Sequence, residues 1–411
     1  MHILLFHQYY LEPDGAGGTR FNEMSTLWTN DGHKVTVIAG MMPDQTGKKK
    51  NEYKGKYFVK NEQSGVTVIR CHVSEGYNKN FLGRILGYFT FTFYSLIAGI
   101  FKTKDKYDIV LVTSPPLFIG ISGYLTSIFK KVPFVFEVRD LWPESAADTG
   151  VVKNEFILSI ARFLERFIYR KAKLINVLTP AFRTNLIEKK KVPQTKICYI
   201  PNAADIAAVD SAMNSFKPGR LRTVLDCNDK FVIIYVGAHG LANGLHQILA
   251  AAELLKDTNV IFWLIGKGMK KSELINSAKQ RKINNVLFLD PVPKSEIYHY
   301  ILDADLGTSV LIKNDTFKTI YSNKTFDYMS CKKPILLAID GVSRELVETA
   351  DCGLFVIPEN PDDFVEKVKT YINKPELISI HGENGYNFVA KYFDRRILAK
   401  EYIKNLSNLL T

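Results

Sequence analysis

The chain alternates short apolar runs with loops and with longer stretches of helical period. In the first half these runs occupy residues 2–8, 34–39, 66–72, 108–114, 132–138, 172–178 and 196–200. In the second half the pattern restarts at 231–237 and continues at 258–265, 285–289, 304–310, 334–339 and 352–357. Short apolar runs separated by helical patterns are typical of parallel β-sheets wrapped by helices. The sequence therefore predicts an α/β protein with two Rossmann-like domains.

A change of pattern marks the boundary between the two domains. Residues 200–205 are followed by a polar stretch, punctuated by Pro and Gly, in which no apolar period persists until about residue 230. We place a hinge near 200–205. A glycine-bearing break at 382–385 precedes a last stretch with apolar residues at helical spacing, which predicts a helix crossing back to the first domain. The predicted domains are residues 1–200 and 201–385, followed by the helix 386–411.

Residues 85–101 form an uncharged segment, and Lys102, Lys104 and Lys106 follow it. Its length is at the lower edge for a membrane-spanning helix. A span would also place strands of one sheet on opposite sides of a membrane, which disfavours it. Two alternatives remain: a buried crossover helix, or a helix in the membrane interface that turns its aromatic run, with Phe89, Phe91 and Phe93, toward lipid.

The charge of the chain is concentrated in its first half. In total, 54 Lys and Arg face 42 Asp and Glu, which gives +12. Residues 1–200 hold 28 basic and 17 acidic side chains, whereas residues 201–411 hold 26 and 25. The first domain is thus expected to meet an anionic partner, and an anionic membrane surface is favoured. Nucleic acid is disfavoured because the basic residues form no recognisable reading motif.

The cysteines and the start of the chain bear on location. The five cysteines are widely spaced without a C-x-x-C pair, which favours a reducing compartment. The apolar start lacks the basic region of a signal peptide. The expected location is the cytoplasm, in peripheral contact with the inner face of the cell membrane.

The loop at residues 13–20 is the first candidate site, because ligands of open α/β sheets bind beyond the carboxyl ends of strands. Gly17 and Gly18 let backbone N–H groups approach an anion at the start of a helix, and Arg20 adds a charged donor. The loop is not G-x-G-x-x-G, and no acidic residue ends the second strand, so a nicotinamide site is disfavoured. The alternative is a plain turn in which Arg20 pairs with a neighbouring carboxylate.

The run Glu137-Val-Arg-Asp-Leu-Trp-Pro-Glu144 places four charged side chains where an apolar strand ends. Such clusters are typical of sites where a carboxylate orients a hydroxyl or takes its proton. Asp140 is the leading catalytic candidate, and Glu137 is the second. The alternative is an internal salt bridge that caps the following helix.

Two more loops in the second half suggest amide donors for phosphate. The loop from Gly237 to Gly244 contains His239 and Gly240, and Gly266 follows the next strand. A lone loop histidine is as often structural as a ligand-binding donor.

A helix start after a strand-like run carries Lys324 and Asp327 on one face. Lys324 can neutralise a phosphate, and Asp327 can accept the hydroxyls of a ribose. Such Lys and Asp pairs are also common as purely structural features of helices.

Taken together, these motifs resemble the retaining glycosyltransferases of family four, which have the GT-B fold of two facing Rossmann-like domains. The resemblance covers essentially the whole chain and is carried by residues 15–20, 113–118, 137–144, 200–202, 240–245 and 322–329. The Ser-Pro-Pro and Arg-Asp-Leu-Trp-Pro-Glu runs look like the branch that builds O-antigen and capsule repeats, including N-acetyl-fucosamine transferases.

The resemblance implies transfer of a sugar from a nucleotide diphosphate sugar with retained anomeric configuration and no obligatory metal or other cofactor. Asp327 stands at the second Glu of the family's E-x7-E motif, which binds ribose, whereas Thr319 replaces the first Glu. The segment from Gly240 to Gly244 occupies the place of the usual Arg-x-x-x-Lys-Gly pair. The diphosphate would then be met by Lys324, Arg20 and the glycine loops. The donor-binding set implied in this way also includes Ser322, Asn323, Thr325 and the backbone at Val292.

The expected function is transfer of a sugar, possibly an N-acetylated deoxyamino sugar, from a UDP-sugar to a polyprenyl-diphosphate-linked saccharide during capsule, O-antigen or exopolysaccharide synthesis. Two rival functions stay open on the sequence alone. One is a nucleotide-sugar epimerase on the same fold, and the other is a non-catalytic assembly subunit.

Overall fold

The first half of the chain folds around one eight-stranded sheet. The computed structural model describes residues 1–13, 15, 17–42, 49–76, 81–148, 150 and 152–410, with the side chains of 81, 82 and 84 left aside. The strands are β1 (His2–Phe6), β2 (Lys34–Gly40), β3 (Phe58–Gln63), β4 (Val66–Cys71), β5 (Ile109–Thr113), β6 (Phe134–Val138), β7 (Leu174–Val177) and β8 (Ile197–Tyr199). Their order is β3-β4-β2-β1-β5-β6-β7-β8, and every neighbouring pair except β3 and β4 is parallel. Seven strands coincide with the predicted apolar runs.

Strand β3 is the one strand of this sheet that the apolar pattern does not predict. It pairs antiparallel with β4 through a tight turn at Ser64 and Gly65, which have φ values of 51° and 78°. Its residues Lys60, Asn61 and Glu62 are polar and exposed. An edge strand is held by backbone hydrogen bonds on one side only, so it forms without an apolar run.

Between these strands the described residues form the helices α1 (Arg20–Asn30), α2 (Phe81–Ile97), α3 (Ile119–Lys130), α4 (Glu144–Asp148), α5 (Glu155–Lys171) and α6 (Pro180–Glu188). Helix α2 continues as a π-helical turn over Ala98–Lys102. The window Ile85–Lys102 has a mean hydropathy of 1.4 and is long enough to span a membrane by length and composition. It lies between β4 and β5, however, and β5 pairs with β1, so α2 serves as a crossover of one sheet.

Helix α2 is a half-buried crossover helix. Phe91 and Ser95 are fully buried, whereas Phe89 and Phe93 are 49% and 58% exposed. Phe91 thus matches the alternative of a buried crossover helix, whereas Phe89 and Phe93 keep surface that could face lipid. Alternate aromatic residues point to different sides because the helical period is 3.6 residues.

The second half of the chain folds around a six-stranded sheet in which every neighbouring pair is parallel. Its strands are β9 (Phe231–Val236), β10 (Val260–Ile265), β11 (Val286–Leu289), β12 (Leu306–Val310), β13 (Ile335–Ala338) and β14 (Gly353–Phe355), in the order β11-β10-β9-β12-β13-β14. Apolar clusters of buried side chains cover the sheet. All six strands coincide with predicted runs.

The helices of the second half are α7 (Ile206–Ser215), α8 (Arg220–Val224), α9 (His246–Leu254), α10 (Lys271–Gln280), α11 (Lys294–Asp303), α12 (Asn323–Ser330), α13 (Val342–Thr349), α14 (Pro361–Asn373), α15 (Glu376–Tyr392) and α16 (Arg395–Ser407). Helices α7 and α8 lie in the polar stretch in which no apolar period persists. Asp205 caps α7 by accepting the N–H of Ala208 at 3.1 Å, which is a start signal that the weak apolar period obscured.

The chain divides into two compact units, one comprising Met1–Pro201 with Arg396–Thr411 and the other Asn202–Arg395. The predicted break at 382–385 is wrong, because α15 runs through it. Gly382 instead allows close packing, since a Cβ there would lie 2.3 Å from the carbonyl oxygen of Lys332. Helix α16 packs on the first unit, where Trp28 Nε1 donates to the carbonyl of Ala399 at 3.0 Å.

Candidate functional site

Arg20 and Glu137 form a buried ion pair at the carboxyl end of the first sheet. Arg20 Nε and Nη2 donate to the two Glu137 oxygens at 3.1 and 3.0 Å, and the guanidinium also donates to the backbone carbonyls of residues 200–201. Asn176 and Thr113 donate to the same carboxylate at 2.9 and 3.2 Å. Arg20 is 3% exposed and Glu137 is 0% exposed.

This pair bears on two of the predicted site residues. Glu137 accepts four hydrogen bonds from protein groups and has no exposed surface, which fits the alternative of an internal salt bridge better than a catalytic role. Arg20 donates along its whole guanidinium edge within the first unit, which matches the alternative of pairing with a neighbouring carboxylate. Gly17 and Gly18 remain at the surface in the loop before α1.

Asp140 differs from Glu137 although only three residues separate them. It follows β6, is partly exposed, and accepts a hydrogen bond from Ser145 at 2.8 Å. Burial raises the pKa of its carboxyl group above the ordinary value, opposed by the Ser145 hydrogen bond. A carboxylate with a raised pKa is better suited to accept a proton. Glu144, at the end of the same run, pairs with Lys190.

His7 is a polar residue of this edge that the sequence analysis missed. It follows β1 directly, and its Nε2 lies 3.2 Å from Arg139 Nη1. The ring is 2% exposed, and burial followed by the charge of Arg139 lowers its pKa well below the usual value. Within the described residues its Nδ1 has no hydrogen-bond partner. Its position in the sequence could have identified it, because His7 directly follows the first apolar run. That run forms β1, from which the sheet extends in both directions, and ligands bind beyond the carboxyl end of such a strand.

In the second unit, Lys324 lies at the start of α12 and against the end of β9. Its Nζ is 3.3 Å from Ser322 Oγ and 4.9 Å from the centroid of the Tyr235 ring. A Cβ on Gly237 would lie 3.1 Å from Lys324 Cε, so the glycine makes room for the lysine. Burial lowers the pKa of Lys324 to about 8, opposed by the charge of Asp327. The site therefore holds a desolvated ammonium group that an anion would stabilise.

Asp327 forms an ion pair with Lys294, which the sequence analysis did not single out. Lys294 begins α11 just beyond β11, so the pair joins the helix that follows β11 to the helix that follows β12. The side chains of Asp327 and Lys294 are 16% and 27% exposed. The pair is thus accessible to a ligand, in contrast to the one formed by Arg20.

Helix α12 is fixed to the sheet below it. Tyr328 accepts the N–H of Val236 at 3.0 Å and donates to the carbonyl of Thr308 at 3.1 Å, while the hydroxyls of Ser322 and Ser309 lie 2.8 Å apart. These hydrogen bonds fix the position of α12, and with it Lys324 and Asp327, relative to β9 and β12. Fixed charged groups of this kind bind a ligand with little reorganisation.

The glycine loops after β9 and β10 touch each other. A Cβ on Gly266 would lie 1.8 Å from the carbonyl oxygen of Gly237, so only glycine fits there. Lys271 ties the next loop to them by donating to the carbonyls of Gly266 and Leu289 and to Asp290, at 2.8–3.0 Å. These contacts give the backbone amides at this edge a fixed arrangement.

His239 lies inside this arrangement with 0% exposure. Burial and then the charge of Lys271 lower its pKa to about 4, so the imidazole is neutral at pH 7. Both ring nitrogens are without a partner among the residues that the structure describes. A neutral ring retains one N–H, so the predicted donor role stays a prediction.

The other predicted donor-binding residues differ in accessibility. Gly240 and Val292 are partly buried, Asn323 is exposed, and Ser322 and Thr325 are buried. Val292 packs against the core of the second unit, which leaves its backbone as the group that a ligand would meet. The described part of the chain contains no group of three His, Cys, Asp or Glu side chains placed to hold a metal ion.

The chain has two α/β units, each built on a mainly parallel sheet. The second unit carries a lysine, a carboxylate and glycine loops at the carboxyl edge of its sheet. These features define the GT-B class of sugar-transferring enzymes. The family model described as "Glycosyl transferases group 1" matches residues 222–388, and "Glycosyl transferase 4-like domain" matches residues 15–203. The chain belongs to glycosyltransferase family four and is a glycosyltransferase.

Two relatives and one solved structure show the range of the similarity. The chain is 23% identical to the "Putative colanic acid biosynthesis glycosyl transferase WcaI" of Escherichia coli K12, over 98% of both chains. It is 21% identical to the "N-acetylgalactosamine-N,N'-diacetylbacillosaminyl-diphospho-undecaprenol 4-alpha-N-acetylgalactosaminyltransferase" of Campylobacter jejuni, over 62% of this chain and 66% of that protein. The Anabaena protein Alr3699/HepE, solved in complex with UDP, has the same fold with a TM-score of 0.71, 19% identity, and coverage of 99% of this chain and 100% of that one.

Proposed function

We propose that this glycosyltransferase moves a sugar from a UDP-sugar, with retention of configuration, to a polyprenyl-diphosphate-linked saccharide in the synthesis of a surface polysaccharide. The observation that carries the proposal is the meeting of Lys324, Asp327 and the glycine loops at the carboxyl edge of the second sheet. The names of the colanic acid relative and of the diphospho-undecaprenol transferase support the acceptor class. The UDP complex of the Anabaena protein supports the nucleotide.

The roles of the residues follow from their charges. The ammonium group of Lys324 and the amides of the glycine loops would neutralise the diphosphate as it leaves the sugar, which is stabilisation of the transition state without a required metal. Asp327 would accept hydrogen bonds from the ribose hydroxyls beside its ion pair with Lys294. Asp140 would accept the proton of the attacking hydroxyl, because its raised pKa favours proton uptake.

The experiment is transfer of labelled sugar from a panel of UDP-sugars to lipid-linked acceptors, run with the native protein and with Asp140→Asn. We expect the native protein to transfer one sugar, and the variant to bind UDP normally while losing most of its transfer. Asp148→Asn is the matched control, since Asp148 is exposed on the neighbouring helix α4. Conversion of the UDP-sugar without acceptor would replace the proposal by an epimerase.

We further propose that the enzyme works at the inner face of the cell membrane, where a polyprenyl-linked acceptor resides. The excess of 28 basic over 17 acidic side chains in residues 1–200 supports attraction to anionic lipid. The narrower assignment to the branch with N-acetyl-fucosamine transferases rests on residues 139–144 and 114–116, and the same sugar panel tests it.

A further inference from the structure

Helix α2 presents an apolar stripe to solvent. Leu86, Phe89 and Phe93 are spaced by three and four residues and are 53%, 49% and 58% exposed. Phe101, in the π-helical turn that continues the helix, is 65% exposed. The opposite side is buried on the sheet through Phe91. Helix α2 is therefore apolar on both sides, which is not expected of a helix that only covers a sheet.

Helix α5 repeats this pattern, and nothing in the sequence analysis anticipated it. Phe156, Ile160 and Phe163 follow one another at helical spacing and are 73%, 51% and 68% exposed. Its other side buries Leu158, Ala161 and Ile168 against the first unit. Three exposed side chains of this size on one helix face would be costly to a protein surrounded only by water.

Helix α3 lies between these two helices and joins their stripes. It exposes Leu125, Ile128 and Phe129. The rings of Phe129 and Phe101 lie 6.5 Å apart on the α2 side, and those of Tyr124 and Phe167 lie 5.4 Å apart on the α5 side. The exposed stripes of α2, α3 and α5 thus form one continuous surface, which we call the three-stripe surface.

Basic side chains surround the three-stripe surface. Lys102, Lys104 and Lys106 follow α2, Lys131 ends α3, and the exposed residues Arg166, Arg170 and Lys171 belong to α5. Near these helices the acidic groups are fewer: Asp105 and Asp108 lie in the loop after α2, and Glu155 is already paired with Arg162. An apolar centre with a basic rim complements an anionic bilayer, where apolar side chains enter the acyl region and ammonium and guanidinium groups reach the headgroups.

We propose that the three-stripe surface docks this chain on an anionic lipid bilayer, with α5 and α3 inserting beside α2. This inference rests on the proposed function, because a polyprenyl-linked acceptor resides in a membrane and the enzyme has to reach it there. It assigns the contact to three helices, whereas the sequence pattern indicated one. The largest exposed side chains, Phe156 and Phe163, then contribute most to binding.

The test is sedimentation of the purified full chain with vesicles of phosphatidylcholine alone or mixed with phosphatidylglycerol, at low and high salt. The α5 variant carries Phe156→Ser, Ile160→Ser and Phe163→Ser, and the α2 variant carries Phe89→Ser and Phe93→Ser. The matched control carries Val224→Ser, Ile372→Ser and Ile380→Ser, three exposed apolar positions of the second unit. A further variant reverses Lys102 and Lys104 to Glu and leaves the apolar side chains in place.

We expect the native chain and the control to bind only the vesicles with phosphatidylglycerol and to release at high salt. The α5 variant should lose about tenfold or more of its binding, and the α2 and charge-reversal variants should also bind less. Full binding by the α5 variant, or no binding by the native chain, would overturn the proposal. A native dimer that the α5 variant converts to a monomer would overturn it too, because the surface would then be an interface between copies.

A separate measurement distinguishes failure of this inference from failure of the proposed function. Transfer to a water-soluble acceptor analogue without a polyprenyl chain should be equal in the native chain and the α5 variant. The donor residues belong to the second unit, and Asp140 lies outside α5. Transfer without vesicle binding overturns the docking surface and leaves the function standing. Vesicle binding without any transfer or UDP binding overturns the function and leaves the docking surface standing.

Discussion

Two ion pairs, one at the carboxyl edge of each sheet, each join side chains that are distant in the sequence, and the two pairs differ in what they can do. Arg20 and Glu137 are 3% and 0% exposed, and protein groups already occupy both carboxylate oxygens. Lys294 and Asp327 are 27% and 16% exposed. A charged pair can recognise a ligand only where it keeps exposed surface. The first pair therefore stabilises its unit, and the second is positioned for binding.

The largest effect is expected from breaking the buried pair. Arg20→Ala should lower the free energy of unfolding by about 3–5 kcal/mol, because it leaves the Glu137 carboxylate buried without its counter-charge. Urea denaturation measures this. Arg162→Ala removes the exposed pair with Glu155 and should cost about 1 kcal/mol or less. Equal losses in the two variants would show that the buried pair has no special structural role.

The next effect concerns Lys324 in the accessible cluster. Lys324→Ala should reduce the turnover of sugar transfer about 100-fold, since leaving-group charge grows in the transition state. Initial rates at saturating donor measure it, with Lys279→Ala, an exposed lysine of α10, as the matched control. Native turnover in the folded Lys324 variant would remove this lysine from the proposed mechanism.

A smaller effect is expected at Asp327. Asp327→Asn should weaken UDP binding about tenfold, or about 1.4 kcal/mol, because the neutral amide accepts ribose hydrogen bonds less strongly than a carboxylate. Calorimetry with UDP gives the affinity, and Asp362→Asn, exposed in the first turn of α14, is the control. An unchanged dissociation constant would assign Asp327 to the ion pair with Lys294 alone.

The smallest effect is a dependence on pH. Lys324 has a pKa of about 8, so it loses its charge between pH 7 and 9, while bound diphosphate favours the charged form. The affinity for UDP should therefore fall by about tenfold as the pH rises from 7 to 9. His239, neutral throughout this range, contributes nothing to the change. Lys324→Ala should abolish the slope, and a native affinity independent of pH would contradict the assignment.

The two ion pairs also show which features of the fold and the site can be predicted from the sequence. Apolar runs predicted both sheets because burial of parallel strands on two faces requires such runs. The edge strand β3 was not predicted, because it is held by backbone pairing with β4 and has no apolar run. Arg20 and Glu137 lie 117 residues apart, so neither partner could be recognised from local pattern. Lys294 and Asp327 lie 33 residues apart, so their pairing could not be predicted from local pattern either. Only Asp327 belongs to a motif that the sequence identifies.

Besides pairings between distant residues, the sequence could not predict which face of a helix is buried. The exposed stripe of α5 follows the same helical spacing as a core-facing stripe, so its direction is visible only in the packed unit. In α2 the aromatic run was visible, but Phe91 could not be separated from Phe89 and Phe93 without knowing where the sheet lies.

Helix α16 imposes an order on the biogenesis of the protein. It supplies the backbone carbonyl that binds Trp28 and the ring of Tyr402, which meets Trp28 edge-on at 5.8 Å, yet the whole second unit precedes it in translation. At about 5–20 residues per second, the ribosome needs roughly 10–40 s to pass through those residues. The unit that emerges first is thus completed last, and during that interval the site of Trp28 lacks its cover. Chaperones on the nascent chain would meet an unfinished first unit while the second can already fold.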